Sequence, residues 1–383
     1  MEKLSKSEFY LCRFFGRAED AMIRKRNSVF SVYVLIAAAC FLMGYSLFRT
    51  ERTIETARSA LYVFAHSVLP SLALFSVCSK LIVKLGVTKK LSAVPMRGFL
   101  RSVGMSAGGF AAFFVGLFSG FPTGAAMLAE LCERGEISPR EAESLLPFCN
   151  QAGIAFLLGT VGGAMLHDAR MGLVFFLAQT ATAWVCVCLT SHERQGYERS
   201  TASFVAADTS WISAVTASVR ESAFSMLGIC GFVVFFSLCG TALFDTASAI
   251  GIPVNGLLRS VVGGAMEISC GFLTLSQGNF PPKTVLLLGG VILGFGGCSV
   301  FLQAVEKTES FFFSPKKYFK GKLLASSICP IFCLLFFLLC QKEDGKNLII
   351  VIFLLVLCIS CFLNYVKIKF FSKKCGKMKR NAV

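Results

Sequence analysis

Long apolar runs separated by short charged segments make up most of this chain. Eight of the runs have about the 20-residue length that an α-helix needs to cross a bilayer. They cover residues 29–48, 60–79, 148–166, 171–190, 222–244, 284–305, 323–341 and 347–366. The pattern predicts an all-α polytopic membrane protein with about eight transmembrane helices.

Two further apolar segments, 103–128 and 259–280, are interrupted by helix-breaking residues. The breakers are Gly108, Gly109, Gly116, Gly120, Pro122 and Gly124 in the first segment, and Gly263, Gly264, Gly271, Gly278 and the pair Pro281–Pro282 in the second. A broken helix at membrane depth leaves backbone groups unpaired, which is tolerated only inside protein or along a cavity. The two segments are therefore predicted to be re-entrant helical hairpins.

The order of these elements repeats along the chain. A span, a hairpin and two spans occupy 60–190, and the same order returns in 222–341. Interrupted segments at corresponding positions of two halves indicate the binding site of a transporter. The remaining predicted parts are a cytoplasmic segment 1–28, a first membrane helix with its outer loop 29–59, a cytoplasmic connector 191–221, and a last helix with a basic tail 342–383.

Composition agrees with this architecture. Of the 383 residues 55% are hydrophobic and only 16% are charged, and the mean hydropathy is +0.68. A soluble domain has about 25% charged residues. The composition therefore excludes a cytosolic globular enzyme, a disordered chain and a secreted disulfide scaffold.

The position of the positive charges predicts the orientation. Net charge is +16, and thirty of the 38 Lys and Arg residues fall on one side if the N-terminus is cytoplasmic and each hairpin returns to its own side. This positive-inside bias predicts cytoplasmic N- and C-termini and two inverted repeats. The acidic loop 129–146 fits least well. The basic clusters are interpreted as orientation signals and contacts with anionic lipids on the cytoplasmic side, with no nucleic-acid partner.

The cysteine and histidine residues do not indicate a metal site. Most of the 17 cysteines lie inside apolar runs, where Cys behaves as a small apolar residue, and the three histidines are scattered. No spacing typical of zinc, haem or iron–sulfur ligands occurs. We expect no metal and no cofactor.

Four motifs carry more information than topology alone. They are Gly116–Ala125, Leu146–Phe156, Gly264–Gly271 and Gly294–Gln303, and the segment Val68–Leu72 accompanies them. Together and in this order, over roughly residues 60–340, they resemble the sporulation integral-membrane proteins of the nucleoside-recognition (Gate) superfamily. The chain departs from the family at Thr123, where Ser is usual, and at Gln151–Ile154, where Asn- or Ser-rich versions with Pro are common.

The resemblance implies a fold similar to the core of concentrative nucleoside transporters, with inverted repeats whose helical hairpins meet at the middle of the membrane. It also implies a forespore-enclosing membrane of an endospore-forming bacterium, and delivery of dipicolinic acid from mother cell to forespore. The two departures put the identity of the solute in question while leaving the fold unchanged.

In the first repeat, the candidate substrate-binding residues are Ser119, Pro122, Thr123, Gly124, Asn150 and Gln151. Pro122 interrupts the helix, and N–H groups from Thr123 onward would attract an anion. The amides of Asn150 and Gln151 would hydrogen-bond a carboxylate. The alternatives are a packing kink for the hairpin and interhelical hydrogen bonding for the amides.

In the second repeat, the candidates are Glu267, Ser269, Ser299 and Gln303. An intramembrane carboxylate such as Glu267 is expensive to ionise, which favours a functional role in carrying a proton or donating a hydrogen bond. Ser299 and Gln303 lie four residues apart and share a helix face. The alternatives are a structural acid and polar packing.

The sequence therefore predicts a non-enzymatic transporter of a small anionic or heteroaromatic solute, with dipicolinic acid favoured by the resemblance. Two alternatives remain: a nucleoside-type carrier, and a non-transporting sporulation membrane scaffold. An intramembrane hydrolase lacks support because Asp168, Asp208, Asp245 and Asp344 are all peripheral. The sequence also allows a homo-oligomer.

Overall fold

A computed structural model describes residues 32–85, 103–191, 210–308, 311 and 313–340. These residues contain helices and connecting turns but no β-strand, which confirms the all-α prediction for them. Several expectations lie outside the described residues. They concern the N-terminal segment 1–28, most of the connector 191–221, the last predicted span 347–366 and the basic tail.

The described chain is a succession of helices, starting with α1 at Val32–Phe48. The others are α2 Thr50–Val63, α3 Leu69–Lys84, α4 Ala107–Ser119, α5 Thr123–Glu133, α6 Pro139–Cys149, α7 Ala169–Leu189, α8 Trp211–Ala249, α9 Gly256–Met266, α10 Ile268–Gln277, α11 Pro282–Phe295, α12 Gly297–Lys307 and α13 Pro315–Cys340. Two π-helical segments are also present: Phe64–Val68 joins α2 to α3, and Phe156–Met165 follows α6. The chain forms two compact units, Met1–Thr56 and Ala57–Val383.

Polar side chains mark where several helices begin. The Ser106 hydroxyl accepts a hydrogen bond from the Gly109 N–H at 3.0 Å, at the start of α4. The Asn255 side-chain oxygen accepts one from the Leu258 N–H at 2.8 Å, at the start of α9. Each cap satisfies one of the N–H groups that the first helical turn leaves without a partner.

Within the described residues, five helical stretches are long and apolar enough to cross a membrane. They are Thr50–Ile82, Ala169–Leu189, Trp211–Ala249, Pro282–Lys307 and Pro315–Cys340. Shorter apolar helices include α1, α4 and α9. The span count of about eight thus stays a prediction, while a bundle of membrane-length apolar helices is present.

The long apolar helices differ in how much of their surface is buried. In α7, 78% of the most apolar window is buried, whereas the corresponding share is 28% in α8 and 22% in α13. Exposed residues of α8 include Phe224, Leu227 and Phe235. Apolar surface of this extent is unfavourable in water and favourable against lipid. Helix α7 therefore belongs to the protein core, and α8 and α13 present apolar faces to the bilayer.

Three predicted spans differ from the observed helices. Residues 148–166 do not form one helix, because α6 ends at Cys149 and helical structure resumes only near Ile154. The predicted span 284–305 is divided between α11 and α12, since Gly296 and Gly297 both have positive φ. Helix α8 begins at Trp211 rather than at residue 222, because polar turns extend the helix beyond its apolar run.

The same order of elements occurs in both halves of the larger unit. A long helix (α3 or α8) precedes a helical hairpin (α4–α5 or α9–α10). A helix with a break follows, divided at residues 150–153 or 296–297, and then a last helix (α7 or α13). The halves are packed together, since α13 contacts α6 and α7, and α8 contacts α3. Inversion of one half relative to the other stays a prediction.

Polar contacts join segments that the charge pattern assigns to one side of the membrane. The Glu143 carboxylate accepts hydrogen bonds from the Ser314 N–H at 2.8 Å and the Lys317 ammonium at 2.7 Å. Lys84 forms an ion pair with Glu221 at 2.8 Å. The acidic loop 129–146 therefore contacts the basic loop 306–322. Which face of the membrane they occupy stays a prediction.

Candidate functional site

The tip of the first hairpin is a short turn between α4 and α5. Gly120 has a φ of +77°, in the region that favours glycine, and the Phe121–Pro122 peptide bond is cis. The Thr123 N–H donates to the Gly120 carbonyl at 3.0 Å, so this N–H, expected to be free for an anion, is used within the turn. Pro122 and Gly124 are buried, and Ser119 and Thr123 are half-buried.

The first hairpin encloses the end of α6. Gly116 on α4 and Gly124 on α5 face each other across the hairpin, and both contact the Cys149 carbonyl oxygen so closely that neither position has room for a Cβ atom. Gly120 packs in the same way against Gly153. The glycines of the motif Gly116–Ala125 therefore allow the hairpin to close around the backbone of the helix break.

The break at Asn150–Gly153 exposes backbone groups that other elements satisfy. The Gln151 carbonyl accepts a hydrogen bond from the Phe121 N–H at 2.7 Å. The Gln179 amide on α7 pairs with Ala152, donating to its carbonyl at 2.8 Å and accepting from its N–H at 3.3 Å. The Asn150 carbonyl accepts from the Lys322 ammonium at 2.7 Å. The break is thus held by hairpin, core helix and α13 together.

The tip of the second hairpin is Glu267, a single residue between α9 and α10 with extended backbone angles. Its carboxylate accepts hydrogen bonds from the Cys270 N–H at 3.0 Å and the Ser269 hydroxyl at 3.3 Å. The side chain thereby caps α10, and the residue is only 3% exposed. Gly264 and Gly271 face each other across this hairpin, as Gly116 and Gly124 do in the first.

The second break lies against the second hairpin tip. Gly296 and Gly297 have φ values of +83° and +79°, which end α11 and start α12. A Cβ atom at Gly297 would lie 3.2 Å from the Gly264 carbonyl oxygen and 3.3 Å from that of Met266. Each half therefore has a hairpin tip packed closely on a helix break.

Two contacts join the two breaks. The Asn150 side-chain amide of the first half donates to the Val300 carbonyl on α12 at 3.3 Å and to the Tyr318 hydroxyl at 3.4 Å. Lys322, whose ammonium binds the Asn150 carbonyl, also lies beside the second break, since a Cβ atom at Gly296 would be 3.1 Å from its Nζ. All ten predicted residues therefore lie at or next to the two hairpin tips and the two helix breaks. Each tip contacts the break of its own half, and the contacts of Asn150 and Lys322 join the two halves.

Several buried amide oxygens of this region have no hydrogen-bond partner. They are Asn150 Oδ1, Gln151 Oε1 and Gln303 Oε1. The amide nitrogens are engaged: Gln151 donates to the Phe148 carbonyl, and Gln303 donates to the Ser299 hydroxyl at 3.1 Å. Buried polar atoms are rarely left unpaired without a reason, and a bound ligand is one such reason.

Three residues of the region were not among the predicted site residues. Gln179 is an amide inside an otherwise apolar run, which is the sequence signal that could have revealed it. Tyr318 and Lys322 lie within the segment predicted as the basic loop 306–322, and Lys322 was counted among its lysines. Its burial, at 3% exposure, shows that it is not a surface lysine in contact with lipid head groups. In the described part of the chain, no three His, Cys, Asp or Glu side chains are grouped to hold a metal.

Comparison with known proteins places a sporulation protein among the relatives of this chain. The chain is 24% identical over 329 residues to the sporulation integral membrane protein YlbJ of Bacillus subtilis (strain 168), and the alignment covers 77% of this chain and 80% of YlbJ. No family model matches the chain, and no solved structure matches it. The similarity extends over most of both chains and agrees with the apolar helices. Together they support a multi-pass integral membrane protein.

Proposed function

We propose that this chain transports a small carboxylated or heteroaromatic solute across a membrane, and that the solute is dipicolinic acid delivered during endospore formation. The similarity to a sporulation integral membrane protein supports the sporulation setting. The resemblance of the four motifs to the family suggests both the identity of the solute and the forespore-enclosing membrane as the location.

The observation that carries the proposal is the convergence of two hairpin tips and two helix breaks. Interrupted helices at corresponding positions of two halves are typical of substrate sites in secondary transporters. Here the segments around Pro122, Asn150, Glu267 and Gly296 supply buried amides, a carboxylate and an ammonium. A purely structural core would satisfy these polar groups or replace them with apolar ones.

The proposed mechanism is alternating access around this site. The two halves would act as inverted repeats with re-entrant hairpins, within about eight spans and with both termini in the cytoplasm. Rocking of one half against the other would expose the site to each side in turn. Amides of Asn150, Gln151 and Gln303 would orient the solute, and Glu267 would stay neutral or carry a proton.

A nucleoside-type solute is the closest alternative, and one observation favours it. The unpaired oxygens of Asn150, Gln151 and Gln303 are acceptors, and they suit a ligand that offers hydroxyl or N–H donors. A non-transporting scaffold is the second alternative. It predicts that substitutions at Thr123, Asn150 and Glu267 have no effect while loop substitutions do.

The test is uptake into vesicles reconstituted with the purified full chain, measured separately for dipicolinate and for a nucleoside. We expect dipicolinate uptake above that of protein-free vesicles, and its loss in Asn150→Ala. Uptake of the nucleoside without uptake of dipicolinate would overturn dipicolinate as the solute and support the nucleoside-type carrier. Uptake of neither, with a folded protein, would overturn the transport proposal in favour of the scaffold.

A further inference from the structure

Lys322 is a buried lysine of the candidate site. It lies on α13, one helical turn after Tyr318, and its ammonium is 5.7 Å from the centre of the Tyr318 ring. The ammonium donates to the Asn150 carbonyl of the first break and lies beside Gly296 of the second. A single side-chain amine therefore contacts the breaks of both halves.

The contacts of this ammonium leave much of its hydrogen-bonding capacity unused. An ammonium has three N–H donors, and one protein acceptor, the Asn150 carbonyl, is within hydrogen-bonding distance. The ring of Tyr318 adds a weaker electrostatic contact. Two donors thus remain available for another group.

No negative charge of the described residues balances Lys322. Among them, no carboxylate oxygen lies within 4.0 Å of its Nζ, and the Glu267 carboxylate is engaged by Cys270 and Ser269. Burial of an unpaired ammonium is strongly unfavourable. A negatively charged ligand that reaches it would gain a charge-assisted hydrogen bond in surroundings of low polarity.

The anion-binding role expected of the helix N-termini is also reduced in the structure. The Thr123 N–H is used by Gly120, and the start of α10 is occupied by the Glu267 carboxylate. A second carboxylate placed at α10 would compete with the Glu267 side chain for the N–H groups of the first helical turn. Lys322 is therefore the group of this region with the charge and the free donors that a carboxylate requires.

We propose that Lys322 is the residue that binds a carboxylate group of the transported solute. The proposal rests on the proposed function, because it assigns one residue of that site. Tyr318 and Lys322 share a face of α13, so the same face presents a hydroxyl and an ammonium to the ligand. The chemical class selected is a carboxylate anion rather than a neutral nucleoside.

The test compares a charged ligand with a neutral one of the same shape. Binding of dipicolinate and of pyridine-2,6-dicarboxamide is measured on the purified full chain in lipid nanodiscs, for the natural protein and for Lys322→Met. Methionine keeps the length of the side chain and removes the charge. The control is Lys320→Met, which removes an exposed lysine from the same helix.

We expect Lys322→Met to weaken dipicolinate binding about 10- to 100-fold, since a hydrogen bond to a charged group is lost, and to leave dicarboxamide binding nearly unchanged. Lys320→Met should bind dipicolinate like the natural protein. Equal dipicolinate binding by the natural protein and Lys322→Met would overturn the role of Lys322 but not the proposed solute. Absence of dipicolinate binding in the natural protein would overturn the proposed solute, and the role of Lys322 with it.

A second measurement distinguishes a structural role of Lys322 from a role in binding the solute. The thermal unfolding midpoint is recorded with and without dipicolinate for three variants. Lys322→Met removes the charge, Lys322→Arg keeps it, and Lys322→Gln is uncharged but retains N–H donors for the Asn150 carbonyl. We expect dipicolinate to raise the midpoint of Lys322→Arg but not that of Lys322→Met. Loss of folding in Lys322→Met together with an unchanged dipicolinate effect in Lys322→Gln would show that the residue only holds the Asn150 carbonyl.

Discussion

At the scale of single residues, Glu267 is an acid for which the sequence left two roles open. Its position in an apolar, Gly-rich segment indicated a functional acid, and a structural acid was the alternative. In the structure its carboxylate caps α10 through Cys270 and accepts from Ser269. The cap explains why an acid is tolerated at this position, and it leaves the transfer of a proton as a separate, testable property.

Substitution of Glu267 by Gln tests that property. Gln retains an oxygen that can accept from the Cys270 N–H, so we expect a folded protein, while the ionisable group is lost. Solute uptake should become independent of pH or cease, as measured in reconstituted vesicles over a range of pH. The control is Asn255→Ala, which removes the cap of α9 at a cost of about 1 kcal/mol without removing an acid. A Glu267→Gln protein with normal uptake and the natural pH dependence would contradict the proton role.

Lys322 shows at the same scale why proximity in sequence can mislead. It follows Lys316, Lys317 and Lys320, and the four lysines together suggested one basic loop. Helix α13 begins at Pro315, so these residues are distributed around a helix instead. Lys316 and Lys317 are exposed while Lys322 is buried. Helical geometry alone predicts different faces, but which face is covered depends on the helices packed against it.

At the scale of elements, each hairpin and the adjacent helix break form one packing unit. The sequence correctly indicated helix interruption near Gly120–Pro122 and near Glu267. It did not indicate that residues 148–166 contain an interruption, because apolar length was the criterion and Asn150 and Gln151 are uncharged. The amides were expected at the start of a span, and they lie instead in a break whose backbone is bound by Lys322, Phe121 and Gln179.

Alanine substitution tests this packing. A methyl group at Gly116 or Gly124 would collide with the Cys149 carbonyl oxygen, which belongs to backbone and cannot rotate away. We expect Gly116→Ala and Gly124→Ala each to destabilise the protein by about 1–3 kcal/mol, measured as a lower unfolding midpoint in detergent. The control is Gly231→Ala on α8, where nothing lies within 4 Å of the added carbon.

For Gly231→Ala we expect no loss of stability and a gain of up to about 1 kcal/mol, since alanine is the better helix former. If all three substitutions had the same small effect, the close contact between the first hairpin and the end of α6 would be contradicted.

At the scale of the whole molecule, polar contacts join charged segments that lie far apart along the chain. Glu143 binds Lys317 and Ser314, and Lys84 binds Glu221. Helix α8 has 39 residues and rises about 58 Å, which is longer than a bilayer is thick. We therefore expect the turn after α8 to lie on the side of the membrane opposite to the start of this helix.

Cleavage at two turns tests this arrangement. A protease recognition sequence is inserted at Gly135, after α5, or at Gly251, after α8, because both glycines have open space around them. We expect the Gly135 site to be cut only from the cytoplasmic side and the Gly251 site only from the other side. The measurement uses inside-out and right-side-out vesicles. Cleavage of both sites from the same side would contradict the predicted return of the hairpins.

The sequence by itself determined that this is a helical membrane protein, where its helices are interrupted by Gly and Pro, and in which order the elements follow in each half. These properties depend on local composition and on the length of apolar runs, which one chain segment carries alone. The tertiary structure decided that the end of α6 is broken, that Lys322 is buried, and that Asn150 reaches Val300. Such features arise from contacts between residues up to 172 positions apart, and no local pattern specifies them.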